Sequence, residues 1–210
     1  MSVICCLQSQ EDPRNILFAG DGRMVCDLKR LGPDNHEKWL MIETETIKVA
    51  IGQVGSALGK YIITPGMREL VGFKKSTLTI RDIRDRIKES MLKEGYVRNP
   101  EYGSPYYDES FVVCISNKYL QIPSCVWRLD TSLTPAVVFP GTPVALGSGG
   151  DIALGAMWGA MRVGEKSKRN GAGPEEILRI GVEAACHFIP SCGNDGKPAR
   201  VHSLGWSQSG

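Results

Sequence analysis

Apolar and polar positions follow one another along this chain in blocks, and the blocks predict its elements. The run Val3-Ile4-Cys5-Cys6-Leu7 is followed by a polar stretch over residues 8–15 that contains Asp12-Pro13. A second run, Ile16-Leu17-Phe18-Ala19, then closes on Gly20-Asp21-Gly22. Two short apolar runs flanking turn formers predict a β-hairpin. A hairpin returns its second strand to the start of its first, so the Asp21 carboxylate is expected near the head of the chain and Ser2.

Further on, a polar loop, Gly32-Pro33-Asp34-Asn35, leads to Lys38 at the head of a strand over residues 39–42. A turn over 43–46 precedes another strand over 47–51, ended by Gly52. Gly52-Gln53-Val54-Gly55-Ser56 reads as a small-residue bend, and residues 57–70 as a helix that Pro65-Gly66 breaks or restarts. From Thr79 the period becomes helical. Ile80, Ile83, Ile87 and Met91 share one face, with Arg, Asp, Lys and Glu opposite. Residues 99–108, with two prolines and three tyrosines, predict a loop.

A second hairpin is expected from Phe111-Val112-Val113-Cys114-Ile115 and Tyr119-Leu120-Gln121-Ile122 around Ser116-Asn117-Lys118. A further loop leads to a short buried strand, Val144-Ala145-Leu146, and the turn Gly147-Ser148-Gly149-Gly150. A helix of small and apolar residues follows over 151–164. Gly171-Ala172-Gly173-Pro174 separates it from another, in which Pro174 suits the first turn and Glu175 and Glu176 the positive end of the dipole. Ile177, Ile180 and Ala184 form that helix's apolar face, and a strand-like tail comes last. Strands and helices in segregated runs imply α+β layers rather than alternating βαβ units.

Composition narrows the class without naming a function. At 210 residues, 42% hydrophobic and 23% charged, the chain is expected to be one soluble globular domain over 1–210. A net charge of +2 with no basic stripe gives no reason to expect nucleic acid. No apolar stretch approaches the roughly 20 residues of a membrane helix, and the start lacks the pattern of a signal peptide. No membrane association is expected, and the expected location is the cytoplasm, or a virion if the host is viral. The seven cysteines show no Cys-x-x-Cys pair, and several sit in apolar runs, so reduced structural thiols are expected. No cofactor or metal is expected.

Individual motifs are weak. Gly147-Ser148-Gly149-Gly150 lacks the full dinucleotide spacing and any Walker lysine, so close packing of helix on strand accounts for it better than phosphate binding. No Gly-x-Ser-x-Gly elbow occurs, and His36, His187 and His202 form no recognisable pair. Order is more specific than any single motif. The start strand, Ala19-Gly20-Asp21-Gly22-Arg23, Lys38 heading the third strand, the Gly52-to-Gly55 bend and the Leu146-to-Gly150 turn together resemble the proteasome β-subunit family. That family includes the HslV-type peptidases and short stand-alone bacterial and phage relatives.

The resemblance implies a four-layer αββα sandwich and N-terminal-nucleophile hydrolysis, in which the first residue of the mature chain supplies a hydroxyl nucleophile and a free α-amine base. An α-amine titrates near 7.7–8.0, so it can be substantially neutral at physiological pH. By position, the nucleophile is Ser2, exposed by removal of Met1. Asp21 and Arg23 match the acid and the arginine after the second strand, and Lys38 matches the ammonium beside the nucleophile. Gly55 matches the oxyanion-hole glycine, and Ser148 the serine near the terminal amine. Counting back from Asp21 by the common spacing instead reaches Cys5, an alternative nucleophile that requires a cut after Ile4. The family's usual nucleophile is threonine, and its frequent late aspartate is absent from Ile189-Pro190-Ser191-Cys192-Gly193, with Asp195 nearby. Two functions therefore stay open: a peptidase acting on a peptide or protein substrate, and an inactive proteasome-like structural subunit of a larger assembly. A homo-oligomer, ring or spiral, is implied in both.

Overall fold

The computed structural model describes residues 2–23, 25–26, 29–30, 37–55, 59–73, 78–95, 109–118, 124–166 and 172–206. In chain order the strands β1 (Ile4–Gln8), β2 (Ile16–Gly20), β3 (Val25–Cys26), β4 (Lys29–Arg30), β5 (Trp39–Glu43) and β6 (Ile47–Val54) precede the helices α1 (Gly59–Phe73) and α2 (Ile80–Lys93). The strands β7 (Ser110–Asn117), β8 (Ser124–Leu129), β9 (Pro135–Val138) and β10 (Val144–Leu146) precede α3 (Gly150–Lys166), α4 (Pro174–Phe188) and β11 (Val201–Ser203). Runs of strands and runs of helices alternate, as the segregated pattern predicts.

The chain divides into two compact units, one of residues 1–38 with 139–205 and one of residues 39–138 with 206–210. The first holds an antiparallel sheet in the order β10-β1-β2-β11. Val3, Cys5 and Leu7 from one face of β1 pack with Ala153 and Met157 of α3 and with Leu178, Val182 and Ala185 of α4. Ile4, Cys6, Ile16 and Phe18, on the other face, are buried as well. A strand buried on both sides has no solvent face to mark with polar residues, which is why this one reads as a continuous apolar run. Gly181 sets the helix spacing: a Cβ there would stand 2.6 Å from the Met157 Cγ.

The second unit holds the antiparallel sheet β5-β6-β7-β8-β9. Its core joins Ile47, Val49, Ile51, Phe111 and Val113 to Ile63 and Met67 of α1 and to Ile83, Ile87 and Met91 of α2. Thr79 caps α2 in a reciprocal box, its hydroxyl accepting from the Asp82 N–H while the Asp82 carboxylate accepts from the Thr79 N–H. Among the described residues no helix is long and apolar enough to cross a membrane.

Several local expectations are corrected. α1 runs straight through Pro65. The pair Pro65-Gly66 marks close approach rather than a break, since a Cβ on Gly66 would lie 2.7 Å from the Ser90 Oγ of α2. β6 continues past Gly52, which pairs with Trp39 and Val112. Ser116 and Asn117 are strand rather than turn: they pair with Lys48 and Ile47, and the buried Ser124 hydroxyl donates to the Ser116 hydroxyl at 3.0 Å. Residues 124–129 and 135–138, expected as loop, form β8 and β9, and the ribbon β3–β4 was not anticipated. The loops expected over 32–35 and 99–108, the strand over 119–122, residues 56–58, His36, Gly171 and the removal of Met1 lie outside the described residues.

Candidate active site

Strand register places the first cluster. Ile4 pairs with Gly20 on one side and with Leu146 on the other. The head of β1, the end of β2 and the end of β10 therefore share one end of the first unit's sheet. Beyond that end stand Ser2, Asp21 and Ser148. Ser2 is 3% exposed, and its carbonyl faces the Gly149 N–H at 3.5 Å.

Asp21 replaces the last rung of the β1–β2 ladder with a side chain. Its N–H donates to the Val3 carbonyl at 3.1 Å, while the Val3 N–H donates to the Asp21 Oδ1 at 2.8 Å. The other carboxylate oxygen accepts from the Gly193 N–H at 3.2 Å and the Arg23 N–H at 3.3 Å. Burial of this carboxyl pushes its pKa up, and the Lys38 charge and the three N–H donors pull it back in part. Lys38 anchors its ammonium on the Arg23 carbonyl at 2.7 Å. Asp21 and Lys38 thus belong to one electrostatic unit behind the head of β1.

A loop after α4 closes over this unit. The Gly22 N–H is shared between the Gly193 carbonyl at 3.0 Å and the Asn194 Oδ1 at 2.7 Å, and the Arg23 guanidinium donates to the Pro190 carbonyl at 2.7 Å. Asn194 keeps its Oδ1 for Gly22, and its Nδ2 is buried without a hydrogen-bond partner. The Ser148 hydroxyl shares a hydrogen bond with the Ser191 hydroxyl at 3.1 Å and also bonds Cys192. Residues 190–194 are thus the part of the site that sequence reasoning left without a role. The sequence pointed to them only through the resemblance, as the place where a late aspartate is absent, and as a run of turn-forming and small residues after an amphipathic helix. Beyond them a polar groove of about 420 Å³ is lined by Arg23, Glu183, His187, Asn194, Asp195 and Lys197 among others.

Four of the five expected site residues, Ser2, Asp21, Lys38 and Ser148, lie in the first unit. Gly55 lies in the second, just after β6, with a positive φ of 126° that suits glycine. Cys5 sits in mid-strand, fully buried, paired with Ala19 and Ala145, and burial drives its thiol pKa far up. A neutral, inaccessible thiol is a poor nucleophile. The Gly-rich turn packs closely against α4 and its following loop: a Cβ on Gly149 would lie 2.8 Å from the Ala185 Cβ and 3.0 Å from the Cys192 Sγ. His202 stacks on Phe18 with ring centroids 5.5 Å apart, and His187 lies edge-on to Phe188. Among the described residues no group of three His, Cys, Asp or Glu side chains could hold a metal ion.

No family model and no curated protein matches the sequence. Solved structures do match in fold. BPH from Thiobacillus denitrificans is 21% identical with a TM-score of 0.68, over 98% of this chain and 99% of that one. A further structure of BPH is a complex with epoxomicin. HslV from Trypanosoma brucei is 14% identical with a TM-score of 0.61, over 97% and 99% of the two chains. An Anbu (Gly-1) mutant from Hyphomicrobium sp. strain MC1 is 9% identical with a TM-score of 0.67, over 96% and 80%. The chain has the α+β fold of the proteasome-like N-terminal-nucleophile hydrolases.

Proposed function

We propose that this chain is an N-terminal-nucleophile amidohydrolase that cleaves peptide bonds, with Ser2, freed by removal of Met1, as nucleophile. The observation that carries the reading is the Asp21 carboxylate accepting the Val3 N–H at 2.8 Å while coupled to Lys38. A hydrogen-bonded acid spent on the backbone at the head of the first strand fixes the position of the residue before it. In the reaction, the Ser2 hydroxyl gives its proton to its own α-amine and attacks the substrate carbonyl. Lys38 favours the developing alkoxide and lowers the amine's pKa, and the Gly55 N–H donates a hydrogen bond to the oxyanion. The ammonium then protonates the leaving amine as the C–N bond breaks, leaving an ester on Ser2. Water, deprotonated by the same amine, hydrolyses the ester and restores the site. Ser148 orders the surroundings of the amine. The substrate is a peptide or protein, and the active form is a homo-oligomer.

A second reading, an inactive structural subunit, draws on the loop after α4, whose Ser191, Cys192 and Asn194 side chains include no carboxylate. Intact mass of the purified chain, before and after epoxomicin, separates the two. Epoxomicin is a fitting probe because BPH, whose fold this chain shares, has been solved in complex with it. Loss of Met1 and a covalent adduct on Ser2 are expected. A chain that retains Met1 and forms no adduct sinks the peptidase reading in favour of the structural one.

A further inference from the structure

The hydroxyl of Ser148 is braced from the loop after α4. Ser191 is 6% exposed, and a buried hydroxyl needs a partner; the one it has is the Ser148 hydroxyl at 3.1 Å. The backbone carrying Ser191 is itself pinned on both sides. The Pro190 carbonyl accepts from Arg23 at 2.7 Å, the Cys192 N–H donates to the Ile189 carbonyl at 2.9 Å, and the Gly193 N–H donates to Asp21 at 3.2 Å. We propose that Ser191 is a positioning residue, a buried hydroxyl that fixes the orientation of Ser148 and registers it to Asp21 without placing a charge beside it. The proposal rests on the hydrolase reading above.

The second partner of Ser148 fits the same role. Burial, and then the nearby Asp21 charge, push the Cys192 thiol up to about 11, so at neutral pH it too is uncharged. Ser148 is therefore held by two neutral groups. A carboxylate on this side would favour the ammonium form of a neighbouring amine and raise its pKa, leaving less free base at a given pH. A hydroxyl orients Ser148 at no such cost, and Asp21 with Lys38 remains the charged pair that tunes the amine.

The test uses the full chain with Ser191→Ala, Ser191→Thr and Ser191→Asp, following peptide hydrolysis and the rate of epoxomicin labelling against pH. Ser191→Ala is expected to lower kcat on the order of tenfold with KM nearly unchanged, as loss of orientation does. Ser191→Thr, which keeps the hydroxyl, is expected to recover most of that loss. Ser191→Asp is expected to move the rising limb of the labelling profile to higher pH. Equal losses in the Ala and Thr variants, or an Ala variant with unchanged kcat and pH profile, would overturn the role of Ser191 while leaving the hydrolase standing. A wild-type chain that neither hydrolyses peptides nor takes the label overturns both. If the Ala variant does not unfold cooperatively, the pH shift in Ser191→Asp decides alone: an unshifted limb overturns the proposal.

Discussion

Asp21 combines two opposed demands, since it is nearly fully buried and yet surrounded by donors that favour its charged form. Burial dominates, so its folded pKa lies above the ordinary value near 3.8. A carboxyl raised by folding contributes stability in full below the unfolded value and loses it as pH climbs through the folded one. Asp21→Asn removes that titration. The gap in unfolding free energy between wild type and Asp21→Asn, measured by urea denaturation, should therefore shrink as pH rises from 3.8 through the folded value; a constant gap refutes the raised pKa. At high pH the amide still accepts from Val3 but turns a donor toward the Gly193 and Arg23 N–H groups. Lys38 offers the sharper functional test. Lys38→Ala removes the only cation proposed at the nucleophile, and epoxomicin labelling of Ser2 should slow by at least about 100-fold. Unchanged labelling would remove Lys38 from the mechanism.

At the level of elements, the turn from β10 into α3 is an unforgiving place in the first unit. A methyl group on Gly149 would meet Val3, Ala185 and Cys192 together. Gly149→Ala should cost about 1–3 kcal/mol by overpacking, read as a lower urea midpoint, and should also disturb the contact of its N–H with Ser2. A midpoint equal to wild type would show that this turn is looser than its distances. The same turn shows what was legible beforehand. β1, β2, β10, α2 and α4 announced themselves through apolar runs, a helical period and N-terminal proline or acid residues. Asp21 followed from hairpin geometry alone. What could not be read was long-range. Nothing local in Ser191 or Asn194 says that they meet Ser148 and Gly22, because those partners lie 43 and 172 residues away. β8 was hidden because Ser124 and Arg128 interrupt its apolar pattern, and Pro65 misled because α1 continues through it while its neighbour Gly66 meets Ser90 and Arg86 of α2.

Across the whole molecule, two cores are built on one plan, a sheet with a pair of helices against one face and its other face also buried. Six of the seven cysteines carry thiols outside any disulfide: Cys5, Cys6, Cys114 and Cys192 are buried, while Cys125 and Cys186 are partly exposed. A thiol reagent applied to the native protein should therefore label Cys125 and Cys186 ahead of Cys5, Cys6, Cys114 and Cys192, which react only on unfolding. Rapid native labelling of Cys5 would revive it as a nucleophile. If the chain assembles as proposed, native mass spectrometry will find a multiple of the chain mass; a monomer at micromolar concentration would count against the homo-oligomer.

The clasp between residues 21–23 and 190–194 has a consequence in time as well as in space. Gly22 and Asp21 receive partners made 172 residues later. At roughly 5–20 residues per second, a ribosome needs about ten to thirty-five seconds to cover that distance. Until that interval ends, the residues after β2 lack the partners that residues 193 and 194 bring. Completion of the clasp is thus a late event, and the head of the first strand gains its last partners only once nearly the whole chain has been made.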